Sequence, residues 1–231
     1  MSLEMRTGYE GTGPGAITPD GCAVELYSRL PVEGEPDIVA GAVPAGSRVL
    51  ELGCGVGRVT HGLLERGFEV TAVDESPEML ERVRGARTVR STIEGLDLGG
   101  EKFDVVMLAS LLVNTGEEAV RRGMLATVRR HVADDGCALI QRVRDGAYEN
   151  LPKERRFEDA GFTIRMVSSE PVGGGVRSAK VEYLFPDAVW TQTYRVLPMT
   201  PEEFEQALAE ADLKVDRYLT DDRVWVRVVP V

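Results

Sequence analysis

The chain is short of the features that would suit it to a membrane, a metal or a nucleic acid. No apolar run approaches the ~20 residues needed to span a bilayer. Met1–Arg6 lacks the apolar core of a signal peptide. The reading is therefore a cytoplasmic protein with no membrane partner. Cysteine is scarce: Cys22, Cys54 and Cys137 stand apart, without the spacing of metal ligands, which predicts reduced thiols and no metal site. The only histidines, His61 and His131, fall in stretches expected to be surface helix. Positive charge is also in deficit. Against 38 Asp and Glu there are 27 Lys and Arg, a net charge of −11, which opposes the basic groove that a nucleic acid needs. Arg121-Arg122 and Arg129-Arg130, the nearest thing to a basic patch, lie on one expected helix and read as solvated charge. No internal repeat or low-complexity segment interrupts the sequence.

What remains is an ordinary globular composition, 43% hydrophobic and 28% charged over 231 residues. That suffices for one full α/β domain with an appendage. Its most informative stretch is Val49-Leu50-Glu51-Leu52-Gly53-Cys54-Gly55-Val56-Gly57-Arg58. An apolar strand runs into a turn in which three of five residues have no side chain, then into a helix. Backbone of this kind can approach a ligand closely, with helix N–H groups beyond it. Twenty-one residues after Gly53, Asp74 ends a second strand, Glu69–Val73. A carboxylate at the tip of the second strand of a βαβ unit is placed to accept both hydroxyls of a ribose. The site therefore reads as one for a nucleoside-bearing cofactor.

The dinucleotide fingerprint G-x-G-x-x-G is incomplete, because Arg58 stands where its third glycine belongs. Glu51, two residues before the first glycine, instead gives Glu-x-Gly-x-Gly-x-Gly. With the preceding strand, Asp74 after it and Ser76-Pro77-Glu78-Met79-Leu80 beyond, this resembles motif I and its sequel in the class I S-adenosyl-L-methionine-dependent methyltransferases. The resemblance is specific over residues 48–143 and architectural beyond.

That resemblance implies S-adenosyl-L-methionine as cofactor and S-adenosyl-L-homocysteine as product. It implies that Glu51 receives the methionine ammonium group and that Gly53 and Gly55 let the backbone pass the methionine and ribose. Cys54 fills the loop with a small side chain. Asp74 would accept the ribose hydroxyls, Glu75 and Met79 would border the adenine, and the backbone at Ala109 would touch the cofactor. Where many relatives carry Asp and a hydrophobic residue at the adenine, this chain has Thr92-Ile93; Glu94 or Asp97 could replace the missing carboxylate, and Ile93 would be an apolar floor. Arg58 is open between the cofactor carboxylate and the helix surface.

Strands are expected at 48–52, 69–73, 88–90, 103–109 and 137–143, alternating with helices at 58–66, 77–84 and 117–131. Such alternation makes a parallel sheet with helices on both faces. Ser76-Pro77 and the capping boxes Thr115–Glu118 and Thr200–Glu203 mark helix starts. Thr18-Pro19 is read as the start of a helix over 20–29, and 36–40 as a second short helix. Residues 162–167, 176–185 and 189–196 alternate with period two and read as an antiparallel insert. A helix at 201–211 and strands at 213–218 and 224–229 close the chain. The fold class is thus α/β, Rossmann-like and doubly wound: a mostly parallel seven-stranded sheet with an antiparallel last strand, plus a small antiparallel β insert. The divisions are 1–45, an arm and lid helices covering one edge of the substrate pocket, with 1–16 mobile until ligand binds; 46–143, the cofactor-binding core; 144–199, the insert, of which 144–161 has no legible pattern; and 200–231, the last helix and strands.

No residue declares itself a catalytic base. The acceptor-pocket candidates are Tyr9, Tyr27, Asn114, Gln141, Arg142 and Trp190; Gln141 and Arg142 end a parallel strand, where ligands bind in open sheets. Arg142 would suit an anionic acceptor or form a structural ion pair. The stretch Ala109-Ser110-Leu111-Leu112 lacks the Asn/Asp-Pro-Pro-aromatic sequence of adenine-amino methyltransferases. The expected function is methyl transfer to an O, N or C atom of a small molecule, mainly by proximity and alignment. A non-catalytic S-adenosylmethionine-binding protein stays open. So does a nicotinamide-dependent reductase, opposed by Arg58 and by the lack of a Tyr-x-x-x-Lys pair. The insert is a candidate homodimer interface or part of a lid.

Overall fold

The computed structural model describes residues 5–231, in two compact units. The larger comprises Val32–Asp145 and Met199–Val231. The smaller comprises Gly146–Pro198 and the described part of Met1–Pro31. The N-terminal segment therefore folds with the insert, where the sequence grouping kept it apart.

In the smaller unit β1 is Glu10–Thr12, followed by helix α1 at Val24–Arg29. The larger unit runs α2 (Glu35–Ala42), β2 (Arg48–Leu52), α3 (Arg58–Glu65), β3 (Glu69–Asp74), α4 (Pro77–Leu80), β4 (Arg87–Arg90), β5 (Phe103–Leu108), α5 (Glu118–His131) and β6 (Val132–Gln141). The smaller unit resumes with β7 (Lys153–Phe157), β8 (Phe162–Gly173), β9 (Val176–Leu184) and β10 (Val189–Val196). The larger closes with α6 (Pro201–Ala209), β11 (Leu213–Tyr218) and β12 (Trp225–Pro230).

The seven-stranded sheet has the order β11-β12-β6-β5-β2-β3-β4. Strands β2, β3, β4, β5 and β6 pair in parallel, and β12 lies antiparallel to both β6 and β11. The chain leaves β2 through β3 to β4 on one side, then returns to build β5 and β6 on the other. The switch point lies between β2 and β5, where ligands bind in open α/β sheets. Strands buried on both faces carry unbroken apolar runs; Val105–Leu108 and Ala138–Ile140 are fully buried. On one face Val49, Val70, Val105, Met107, Leu139 and Trp225 pack with Val39 of α2 and with Val59 and Leu63 of α3.

The smaller unit is an antiparallel sheet of order β1-β10-β9-β8-β7. Ala23 and Leu26 pack on its Val181, Tyr183 and Trp190. The arm expected to be mobile contributes a strand: Glu10, Gly11 and Thr12 pair with Thr193, Gln192 and Thr191. The patternless stretch contains β7, whose Lys153-Glu154-Arg155-Arg156 are all exposed at the sheet edge. Charge on an edge strand discourages pairing with another chain.

Local chemistry explains which expected caps form. Ser76 accepts the Met79 N–H, and Thr200 with Glu203 makes the full reciprocal box. The expected box at Thr115 does not form. Helix α5 starts at Glu118 with Glu117 as its N-cap, and Thr115 Oγ1 accepts a long 3.5 Å bond from Glu117 N–H. Thr18 does not cap a helix either. It accepts the Cys22 N–H at 3.1 Å and hydrogen-bonds Asp20, tying a tight turn, so α1 begins only at Val24. Among the described residues no helix is long and apolar enough to cross a membrane.

Candidate active site

Glu51 follows Val49 by two in β2, so its side chain falls on the face covered by α3. It is 3% exposed, and Thr60 Oγ1 donates to its Oε2 at 2.5 Å. Burial pushes its carboxyl up to about 7, while the Thr60 hydrogen bond and the Arg58 charge pull the other way. Asp74 and Glu35 add like charge nearby. Arg58 lies 3.6 Å from Glu35, so its charge is shared between two buried carboxylates.

The loop after β2 turns through three left-handed glycines, with φ of 73°, 54° and 82° at Gly53, Gly55 and Gly57. Their surroundings differ. A Cβ on Gly53 would lie 2.6 Å from Leu112 Cδ1 and 3.5 Å from Ile93 Cδ1. One on Gly57 would lie 3.1 Å from the His61 ring. One on Gly55 would meet only Met79 Sδ, at 3.9 Å. Gly55 is thus the open position of the loop, whereas Gly53 is needed to seat Leu112. Gly53 and Cys54 N–H both donate to Val73 O at 2.9 Å. Cys54 is buried, and burial raises its thiol.

Asp74 is fixed from both sides: Gly55 N–H donates to Oδ2 and Ser76 N–H to Oδ1, each at 2.9 Å. The glycine loop and the tip of β3 are therefore one hydrogen-bonded unit. Glu75 is half-buried, and its carbonyl accepts from Arg90 Nε at 3.2 Å. Met79, Ile93 and Ala109 are buried. Thr92 Oγ1 accepts the Gly95 N–H at 3.2 Å. Asp97 caps a separate turn through Gly99 N–H at 2.9 Å.

Several acceptor-pocket candidates make contacts within the fold. Arg142 is fully buried and donates to Met199 O at 2.7 Å and to Asp145 at 3.0 Å, beneath the Phe204 ring. The structural ion pair weighed for it is present. Asn114 is also fully buried, and its Oδ1 accepts Val143 N–H at 2.8 Å. Gln141 is half-buried, and its Oε1 accepts Ser110 N–H at 2.7 Å. In the smaller unit Trp190 is a core residue with no exposure, its Nε1 donating to Pro14 O at 2.9 Å. Tyr9 donates to Arg195 O at 3.4 Å, and the Tyr27 hydroxyl accepts from Cys22 Sγ at 3.4 Å. His131, expected at the surface, is fully buried; it contacts Thr127 O through Nδ1 at 2.9 Å, and its Nε2 accepts from Leu98 N–H. His61 Nε2 accepts the Arg84 N–H at 3.0 Å.

A family model described as a methyltransferase domain matches residues 49–166, slightly more than half of the chain. The chain belongs to the methyltransferase-domain family. The match begins at β2 and takes in the glycine loop and Asp74. An uncharacterized methyltransferase of Mycobacterium tuberculosis is 40% identical over 94 residues, covering 38% of this chain and 39% of that protein. The alignment thus spans about two fifths of that relative's own length. Among solved structures, the CcbJ methyltransferase from Streptomyces caelestis superposes with a TM-score of 0.72 at 20% identity, covering 90% of this chain and 96% of that one. CalS10, an amino pentose methyltransferase from Micromonospora echinaspora solved with S-adenosylmethionine bound, gives 0.68 at 22% identity, covering 90% and 95%. These neighbours share the Rossmann-like fold expected from the alternation of strands and helices.

One residue at the site escaped sequence reasoning. Thr60 carried a usable signal, as a hydroxyl beside the inward-facing Val59 in the helix after the loop. Leu112 lies in the stretch Ala109–Leu112 that the sequence singled out, but its contact with Gly53 depends on how the chain turns after β5.

Proposed function

We propose that the protein binds S-adenosyl-L-methionine at the loop after β2 and transfers its methyl group to an O, N or C atom of a small molecule. The observation that carries this reading is the clamp of Gly55 N–H on Asp74, which sets the open glycine beside a fixed carboxylate at the switch point of the sheet. The residues fit such a cofactor: a glycine with room for close approach, an oriented carboxylate, and apolar Met79, Ile93 and Ala109. Asp74 accepts the ribose hydroxyls, Glu51 faces the methionine ammonium, Gly53 and Gly55 give the backbone its approach, and Glu75, Met79, Thr92 and Ile93 border the adenine. Cys54 fills the loop, and Arg58 balances the Glu51 and Glu35 carboxylates. When bound, the cofactor supplies a methyl group on a positively charged sulfur. The protein's part is to align the acceptor with it.

The net charge of −11 favours a small acceptor over a nucleic acid. Secondary metabolism is supported by CalS10, a neighbour involved in calicheamicin biosynthesis, and the cytoplasm by three free cysteines. A second reading, a non-catalytic binder of S-adenosylmethionine, draws on the engagement of Asn114, Arg142 and Trp190 in the fold.

The first test is a thermal shift with S-adenosylmethionine, S-adenosylhomocysteine, NAD and NADP. A ligand at about 100 times its dissociation constant stabilises by about 2.7 kcal/mol, a shift of several degrees. Only the first two should act, and Asp74→Ala should lose most of the shift. A response to NAD or NADP alone would overturn the reading in favour of a reductase.

Binding should also depend on pH. A carboxyl raised to about 7 in the folded chain from the ordinary carboxylate range destabilises the fold as pH rises through that window. A cationic ligand group beside Glu51 favours its charged form, so binding below pH 7 releases a proton. Affinity should rise about tenfold from pH 6 to pH 8. Calorimetry across that range checks this, and Glu51→Gln should flatten the profile.

A further inference from the structure

The turn after β5 is held in a costly conformation. Ser110 and Leu111 have φ of 53° and 61°, two consecutive non-glycine residues in the left-handed region. Such backbone persists only where its surroundings over-determine it. Two side-chain amides do so here. The last β5–β6 ladder pair is Leu108 with Ile140. Past it, where the two backbones part, Gln141 Oε1 accepts Ser110 N–H at 2.7 Å and Asn114 Oδ1 accepts Val143 N–H at 2.8 Å. These bonds extend the tie between β5 and β6 with side-chain oxygens. Within the turn, Leu112 N–H donates to Ala109 O and Asn114 N–H to Leu111 O. The chain so bent carries Leu112 onto Gly53, with its Cδ1 2.6 Å from where a Cβ would stand.

We propose that Gln141 and Asn114 are positioning residues that hold the Ser110–Leu111 turn and thereby press Leu112 against Gly53, fixing the wall of the cofactor site between β2 and β5. The proposal rests on the cofactor reading above, and it moves both amides from acceptor contact to support of the glycine loop. Their oxygens are occupied by backbone N–H groups, which ties them to the turn.

The test compares Gln141→Leu, which removes the acceptor at similar size; Gln141→Glu, which keeps an acceptor; and Gln141→Leu combined with Ser110→Gly. Ser110 is exposed, and glycine takes its φ without strain. Affinity for S-adenosylhomocysteine is read by calorimetry. Gln141→Leu should weaken it about tenfold, the scale of one strained residue set free. Gln141→Glu should bind within a few-fold of the native chain, and the double variant should recover most of the loss. A residue that touched the ligand itself would show no recovery on Ser110→Gly, and that outcome overturns the proposal. Native affinity in Gln141→Leu overturns it as well. If Gln141→Leu does not fold, Gln141→Ser, too short to reach Ser110, takes its place. Hydrogen exchange of the Ser110 amide, read without ligand, separates the clamp from the cofactor reading. Faster exchange in the variant supports the clamp even if the native chain binds no S-adenosylhomocysteine. Unchanged exchange overturns the proposal whatever binds.

Discussion

Gly55→Ala should abolish binding of S-adenosylmethionine while leaving the chain folded, and Gly53→Ala should do its damage to stability first. Both residues have left-handed backbone, at φ 54° and 73°, so an L side chain at either costs about 1–2 kcal/mol. The difference lies in what the new methyl group meets. At Gly55 its nearest neighbour is Met79 Sδ at 3.9 Å, ordinary contact, and the methyl projects into the space proposed for the cofactor. At Gly53 it overlaps Leu112 Cδ1 at 2.6 Å. Overpacking of that kind adds about 1–3 kcal/mol. Denaturant midpoints and calorimetric affinities on the two variants check both halves. If Gly55→Ala binds S-adenosylmethionine like the native chain, the open side of the loop is not where the cofactor lies.

Trp190→Ala should cost about 3–5 kcal/mol, the range for emptying a buried large aromatic site. The ring has no exposure. It meets Phe185 edge-on at 5.4 Å, takes the Arg29 guanidinium over its face at 5.0 Å, and donates to Pro14 O. Gly13 has φ 120°, and a Cβ there would run into the same ring. The tryptophan thus holds the stretch after β1 as well as α1. Chemical denaturation should show the loss, and limited proteolysis should find residues 10–16 newly open to cleavage. Native-like resistance with unchanged stability would mean that β1 is held by its pairing with β10 alone.

The two replacements fall on opposite sides of what could be read from the residues. The path from β2 through the glycine loop to Asp74 was legible because local signals agreed: an apolar strand, glycines where the chain must turn left-handed, and a Ser-Pro helix start. The seven-stranded sheet was legible for the same reason. Strand β1 was not. Glu10-Gly11-Thr12 has neither alternation nor bulk, and its pairing comes from β10, far along the chain. Strand β7 hid because an edge strand can be all charge. The Thr115 box failed because a favourable spacing of Thr and Glu does not fix where a helix begins. The acceptor candidates were the least legible. Arg142, Asn114 and Trp190 are polar groups at strand ends or large aromatics, chemistry equally suited to ligand contact and to stitching the fold. Only the position of a partner such as Met199 O, Val143 N–H or Pro14 O separates the two.

The placement of β12 between β11 and β6 bears on how the chain is made. Synthesis delivers β2 through β6 early, yet β6 keeps a bare flank of backbone N–H and C=O groups until Trp225–Pro230 emerges and slots against it. Throughout that interval the nascent chain carries an open, strongly apolar sheet edge of the kind that captures other strands. Strand β1 likewise has its pairing partner, β10, far along the chain. Both sheets are therefore closed by pairings between segments far apart in the chain, β12 with β6 and β1 with β10, so neither can be completed from local sequence alone.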